Sequence, residues 1–128
     1  MTCVLDASAV LAMLLDEPGA AEVQEALLGA CISAVNLAEV VSTLVNRGLS
    51  GAIAREAIAG IDITTIAADR DQAIDAGILR AFTAQAGLSL GDRFCLSLAR
   101  RLRLPVLTAD SAWRQVEAEV GVSVHLIR

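Results

Sequence analysis

At 128 residues and a net charge of −5, the chain is long enough for one domain with its own core, and its acidic balance argues against broad electrostatic binding of nucleic acid. Apolar residues make up 55% and charged residues 20%, which excludes a disordered chain, while aromatics at 2% leave the core to Ala, Val, Leu and Ile. Every basic residue is arginine, so any site that requires a lysine is excluded and phosphate contacts would have to come from arginine forks.

Residues 2–5 (TCVL) read as a short buried strand. Ser8 suits the N-cap of a helix over Ala9 to Leu15. That apolar run is far below the roughly 20 residues that span a bilayer, and no basic leader precedes the first strand. A cytoplasmic protein without membrane contact is expected. Residues 16–19 form a turn, 20–28 a half-exposed helix, and 31–33 a second strand. Asn36 suits the cap of a helix over 37–46, and Ser50 opens another over about 51–60. Residues 62–67 (DITTIA) are rich in β-branched side chains and predict a third strand at a sheet edge.

A long helix is predicted over about 69–86, with Ile74, Ile78, Leu79 and Phe82 turned inward and Gly87 stopping it. Gly91 and Asp92 open a further helix to about Leu102, whose end carries Arg100, Arg101 and Arg103 where the helix dipole favours cations. Pro105 to Leu107 predicts a fourth strand, Asp110 and Ser111 cap a short helix to about Glu119, and 122–127 a last strand. Strands alternating with helices, joined by connections too long for hairpins, imply an α/β fold: one domain over residues 1–128, with a central parallel sheet of four to five strands and helices on both faces. The three cysteines are scattered, without metal-ligand spacing, and read as small buried hydrophobes. The lone His125 reads as structural.

Four acids stand out against this frame. Asp6 and Asp110 follow strands, and in an open parallel sheet ligands bind beyond the carboxyl ends of the strands. Asp92 lies in the first turn of its helix, and Glu39 sits among apolar neighbours one turn into its own. Each has a plainer alternative: a helix-start charge or cap for the aspartates, a solvated helix acid for Glu39. One site would explain all four. Two carboxylates about 4 Å apart repel by roughly 4 kcal/mol at an effective dielectric of about 20, so such a cluster calls for a cation. Hard oxygen ligands, with no His or Cys expected nearby, select Mg²⁺ or Mn²⁺. One or two such ions would position and deprotonate a water for phosphodiester hydrolysis. Ser8 and Thr108 are placed to orient a carboxylate or a bound water, Asn36 could do likewise, and Arg93 could meet either a phosphate or an acid.

The segments VLDASAVLAMLL, ISAVNLAEVVSTL and LSLGDRFCLSLARRLRLPVLTADSAW, in this order and spacing, resemble the PIN-domain ribonucleases, and more narrowly the VapC-type toxins of toxin–antitoxin pairs. The resemblance covers nearly the whole chain. It implies a parallel sheet flanked by helices, a metal-dependent endoribonuclease activity, and metal-binding acids at Asp6, Glu39, Asp92 and Asp110, the last being the most variable in role. The family's small hydroxyl residues correspond to Ser8 and Thr108. Phe94 is larger than the small residue expected beside the third acid.

The resemblance also implies an RNA substrate, a homodimer and an inhibitory antitoxin. The apolar helices at 37–46 and 51–60 offer a groove for an amphipathic partner helix, unless both face the core or the dimer mate. Two other classes share some of these features. A phosphoacceptor receiver domain also holds Mg²⁺ on acids, but needs a lysine that this chain lacks. A catalytically degenerate module that keeps the fold and only binds a protein or RNA is the remaining alternative.

Overall fold

The short apolar segments pair as five parallel strands in a computed structural model that describes all residues 1–128. The strands are β1 (Cys3–Leu5), β2 (Ala30–Ser33), β3 (Thr64–Ile66), β4 (Val106–Thr108) and β5 (Val124–Leu126), in the spatial order β3-β2-β1-β4-β5. Register places Val4 against Cys31 on one side and Val106 on the other, so β1 is central. β3 lies at an edge, as its β-branched, half-polar sequence predicts.

Alternation along the strands splits the core into two layers. Leu5, Ile32 and Leu107 face α1 (Ala7–Leu14), α2 (Ala20–Ala26), α3 (Ala34–Asn46) and α4 (Gly51–Ala59), where Val10, Val23, Val40 and Leu44 are buried. Val4, Cys31, Val106 and Val124 face the other layer. It is built from α5 (Arg70–Ile78), α6 (Arg80–Thr83), α7 (Leu90–Leu102), a 3₁₀ segment at Ser111–Val116, and α8 (Glu117–Val120). Trp113, fully buried in the 3₁₀ segment, is the largest side chain of this layer. The first half of the chain thus covers one face and the second half the other. From β1 the chain moves to β2 and β3 on one side, then returns to β4 on the opposite side. The strand order therefore reverses between β1 and β4, the position beyond whose carboxyl ends ligands bind in open parallel sheets.

Several local expectations need correction. α1 begins at Ala7 rather than Ala9; Asp6 occupies the capping position, and Ser8 lies inside the first turn because its hydroxyl is engaged elsewhere. Ser33, not Asn36, caps α3, its side chain accepting from Val35 N. The helix expected over 20–28 gives way to a 3₁₀ turn at Leu27–Gly29, which leaves Leu28 88% exposed. The helix expected over 69–86 is broken at Leu79 into α5 and α6. Of its predicted inward residues only Leu79 is buried; Ile74, Ile78 and Phe82 are exposed, because no element packs on that stripe. No helix is long and apolar enough to cross a membrane.

Candidate active site

Asp6 immediately follows β1 at the point of strand reversal and is only 4% exposed. Its Oδ2 accepts from Ser8 Oγ at 2.7 Å and from Thr108 Oγ1, at the end of β4, at 2.9 Å. Each hydroxyl has one proton, and both protons go to the same carboxylate oxygen. The lone pairs of the hydroxyls then accept backbone donors from the β4 loop: Ala109 N donates to Ser8 Oγ at 2.9 Å and Asp110 N to Thr108 Oγ1 at 3.1 Å. This closed set of bonds ties the ends of β1 and β4 together through one carboxylate. Burial is the main cause that pushes the Asp6 carboxyl up to about 6; the Ser8 hydroxyl opposes it, the Asp92 charge adds to it, and Thr108 and the Ala7 backbone oppose it.

Glu39, half-buried on α3, is positioned by Asn36 and Gly91. Asn36 is fully buried, and its Nδ2 donates to Glu39 Oε1 at 2.8 Å and to the Gly91 carbonyl on α7 at 2.9 Å. Asn36 Oδ1 has no partner, yet turning the amide over would set that oxygen against two acceptors, so the observed orientation is the better one. A Cβ on Gly91 would stand 2.3 Å from Glu39 Oε2. Only glycine lets the carboxylate lie against α7.

Asp92 and Ser89 form a capping box at the start of α7: Ser89 N donates to Asp92 Oδ2 at 2.9 Å, and Asp92 N to Ser89 Oγ at 3.2 Å. The plain capping role weighed from sequence is therefore present, and it leaves Oδ1 with no protein donor. Burial raises the Asp92 carboxyl, the Ser89 bonds oppose this, and Asp110 adds to it. Asp110 is exposed and caps the 3₁₀ segment, Oδ1 accepting from Ala112 N at 3.0 Å. Beneath these acids lies Cys95, fully buried. Burial, reinforced by the Asp6, Asp92 and Glu39 charges, pushes its thiol well above the usual range. The expectation that no cysteine lies nearby is thus corrected: one does, but as a buried protonated thiol it is unsuited to bind metal.

The arrangement brings Asp6, Glu39 and Asp92 to one end of the sheet, with Asp110 electrostatically coupled to Asp92 at the rim. No group of three His, Cys, Asp or Glu side chains is drawn tight enough to enclose a cation by itself. The donor chemistry nevertheless suits a hard divalent ion: all four are carboxylates, and on Glu39, Asp92 and Asp110 one oxygen is fixed by a protein donor while the other is free. Arg93 is buried and its Nε donates to Ser89 O at 3.3 Å; it forms no ion pair, but its charge lowers the Asp92 carboxyl. His125 pairs with Glu22 on the surface of β5, outside the site. The contributions of Gly91 and Ser89 escaped the sequence reading. The Ser89-x-x-Asp92 spacing of a capping box was the available signal for one of them.

Comparison with known proteins agrees with this architecture. Residues 3–119 match the family model of the PIN domain. No curated protein sequence matches the chain. Among solved structures, a DNA-bound VapBC complex from Salmonella typhimurium superposes with a TM-score of 0.77 at 18% identity, over 100% of this chain and 99% of that one. A toxin–antitoxin complex from Klebsiella pneumoniae gives 0.74 at 20%, over 99% and 98%. VapBC-5 from Mycobacterium tuberculosis gives 0.62 at 26%, over 100% and 99%. With its sheet order, its acid-bearing strand ends and a family match across most of its length, the chain belongs to the PIN-domain family.

Proposed function

We infer that the protein is a Mg²⁺- or Mn²⁺-dependent endoribonuclease and the toxin of a toxin–antitoxin pair. The observation that carries this reading is the convergence of Asp6, Glu39 and Asp92 over Cys95 at the strand reversal, with Asp6 held by two hydroxyls. Asp6, Glu39 and Asp92 would hold the cation, with Asp110 at the rim. The ion, when bound, supplies positive charge for the phosphodiester and lowers the pKa of a water. The chain's own contributions are positional. Ser8 and Thr108 fix the Asp6 carboxylate and favour its ionised form. Asn36 fixes one oxygen of Glu39 and leaves the other without a protein donor. The capping box holds Asp92 in one rotamer. With its carboxyl pushed up to about 6 by burial, Asp6 is mostly ionised at neutral pH.

The toxin reading draws on the fold shared with VapBC proteins and on the groove between α3 and α4. That groove encloses about 650 Å³ and is lined by Leu37, Val41, Ala52 and Ile58, with Arg55 alongside. It suits the apolar face of an antitoxin helix. The decisive test is cleavage of total cellular RNA by the purified protein with Mn²⁺, Mg²⁺ or EDTA, beside Asp92→Asn. Metal-dependent fragments that vanish in the variant are expected. No cleavage by a metal-loaded protein free of antitoxin would leave only the binding-module alternative.

A further inference from the structure

The far end of α7 carries a second polar feature, remote from the acids. A cavity of about 430 Å³ opens between α5 and α7, lined by Asp75, Leu79, Ser97, Arg100, Arg101 and Arg103. Arg101 is engaged by Asp75 at 2.9 Å and approached by Asp69 at 3.8 Å. Arg100 and Arg103 pair with no carboxylate, although the chain carries more acids than bases. Ser97 is 3% exposed, and its hydroxyl has no hydrogen-bond partner. The helix dipole explains cations at this end of α7. It does not explain a polar cavity between two helices with two unneutralised guanidinium groups and an unpartnered hydroxyl in its wall.

We propose that this cavity is a phosphate subsite that takes a backbone phosphodiester of the RNA, with Arg100 and Arg103 as its forks. The proposal rests on the nuclease reading. It supplies a focused positive contact that holds RNA against the repulsion of the acid cluster. Arg103 lies about 16 Å from Asp92 along the helix, so one short stretch of strand reaches both. Arg103 also adopts a left-handed backbone, φ 57°, which glycine accepts without cost.

The test is binding of a short fluorescent single-stranded RNA by the full chain in EDTA, where cleavage is off. The Arg100→Gln/Arg103→Gln variant is expected to bind about tenfold more weakly, with a salt slope shallower by about 1.4 for two lost contacts. Arg103→Gly is expected to weaken binding while its melting temperature holds or rises, which separates lost affinity from lost fold. Unchanged affinity and slope in the double variant would overturn the proposal. So would inorganic phosphate binding, followed by calorimetry, that depends on these arginines while RNA affinity does not; the cavity would then serve a free anion. Failure of the nuclease reading looks different: the metal-loaded wild type would not cleave, or Asp92→Asn would cleave as well as wild type, whatever the arginine variants do to binding.

Discussion

The ends of β1 and β4 are adjacent and parallel, yet they present their acids in opposite ways. Asp6 directly follows Leu5 and is buried; Asp110 comes two residues after Thr108 and is exposed. At the end of β4 a hydroxyl, Thr108, faces Asp6, and the chain then turns outward, carrying Asp110 to the rim as the cap of the next segment. A strand end therefore guarantees a place at the sheet edge, but the next one or two residues decide whether the acid is buried there. The buried one is costly to ionise without a cation, and the rim one is solvated.

Removing the buried carboxylate should have the largest effect. Asp6→Asn is expected to lower RNA cleavage by about a thousandfold or more, roughly 4 kcal/mol of transition-state stabilisation. Comparable single-turnover rates for Asp6→Asn and wild type would break the contrast with Asp110. The same carboxyl should also leave a signature on stability. Its folded-state value, about 6, stands above the ordinary 3.8, so the native protein holds the proton more tightly than the unfolded chain. The stability this contributes is full below pH 3.8 and is lost as pH rises through 6, on the order of 3 kcal/mol across the window. In chelator, the melting temperature of wild type relative to Asp6→Asn should therefore fall between pH 4 and 7, and Mn²⁺ should restore it at pH 7 for wild type only. A flat difference would show that burial does not strain this group.

Thr108→Val removes the β4 hydroxyl while keeping its shape. It also strips the Asp110 backbone N–H of its acceptor. The loss should be about 10- to 100-fold in activity or metal affinity, the usual range for a group that orients a ligand. An unaffected Kd for Mn²⁺ by calorimetry, with unaffected kcat, would mean that β4 contributes only backbone to the site. Gly91→Ala asks the same of α3 and α7. The added methyl meets the far end of a flexible side chain, so Glu39 swings away at little cost, and alanine favours the helix by up to about 1 kcal/mol. The expected outcome is a protein at least as stable as wild type with about tenfold lower activity; full activity would show that Glu39 need not lie against α7.

The parts of this arrangement legible in sequence were local. A run of apolar residues leading to Asp6, and another ending two residues before Asp110, place both acids at the sheet edge. The edge position of β3 followed from β-branching, while the order of the other strands did not. What was not legible depended on contacts between distant segments. Asn36 and Ser33 are both good caps, and the choice of Ser33 follows from Asn36 being turned inward to Gly91, 55 residues away. The stripe of Ile74, Ile78 and Phe82 has the spacing of a buried face, but periodicity cannot say whether anything lies opposite it, and within this chain nothing does. The closeness of Gly91 to Glu39 has no counterpart in either local sequence.

The smallest effect should come from the rim. One oxygen of Asp110 caps the 3₁₀ segment through Ala112 N, and an asparagine caps nearly as well, so Asp110→Asn should leave stability within about 0.5 kcal/mol. Its charge reaches the site through Asp92, whose carboxyl it helps to raise. Removing that charge should lower the Asp92 pKa slightly and cost about threefold to tenfold in cleavage, less than any change at Asp6. If Asp110→Asn proved as damaging as Asp6→Asn, with metal affinity lost to the same extent, exposure would be a poor guide to ligation here. The β4 loop would then have to fold inward over the cation, giving the two strand ends equal roles.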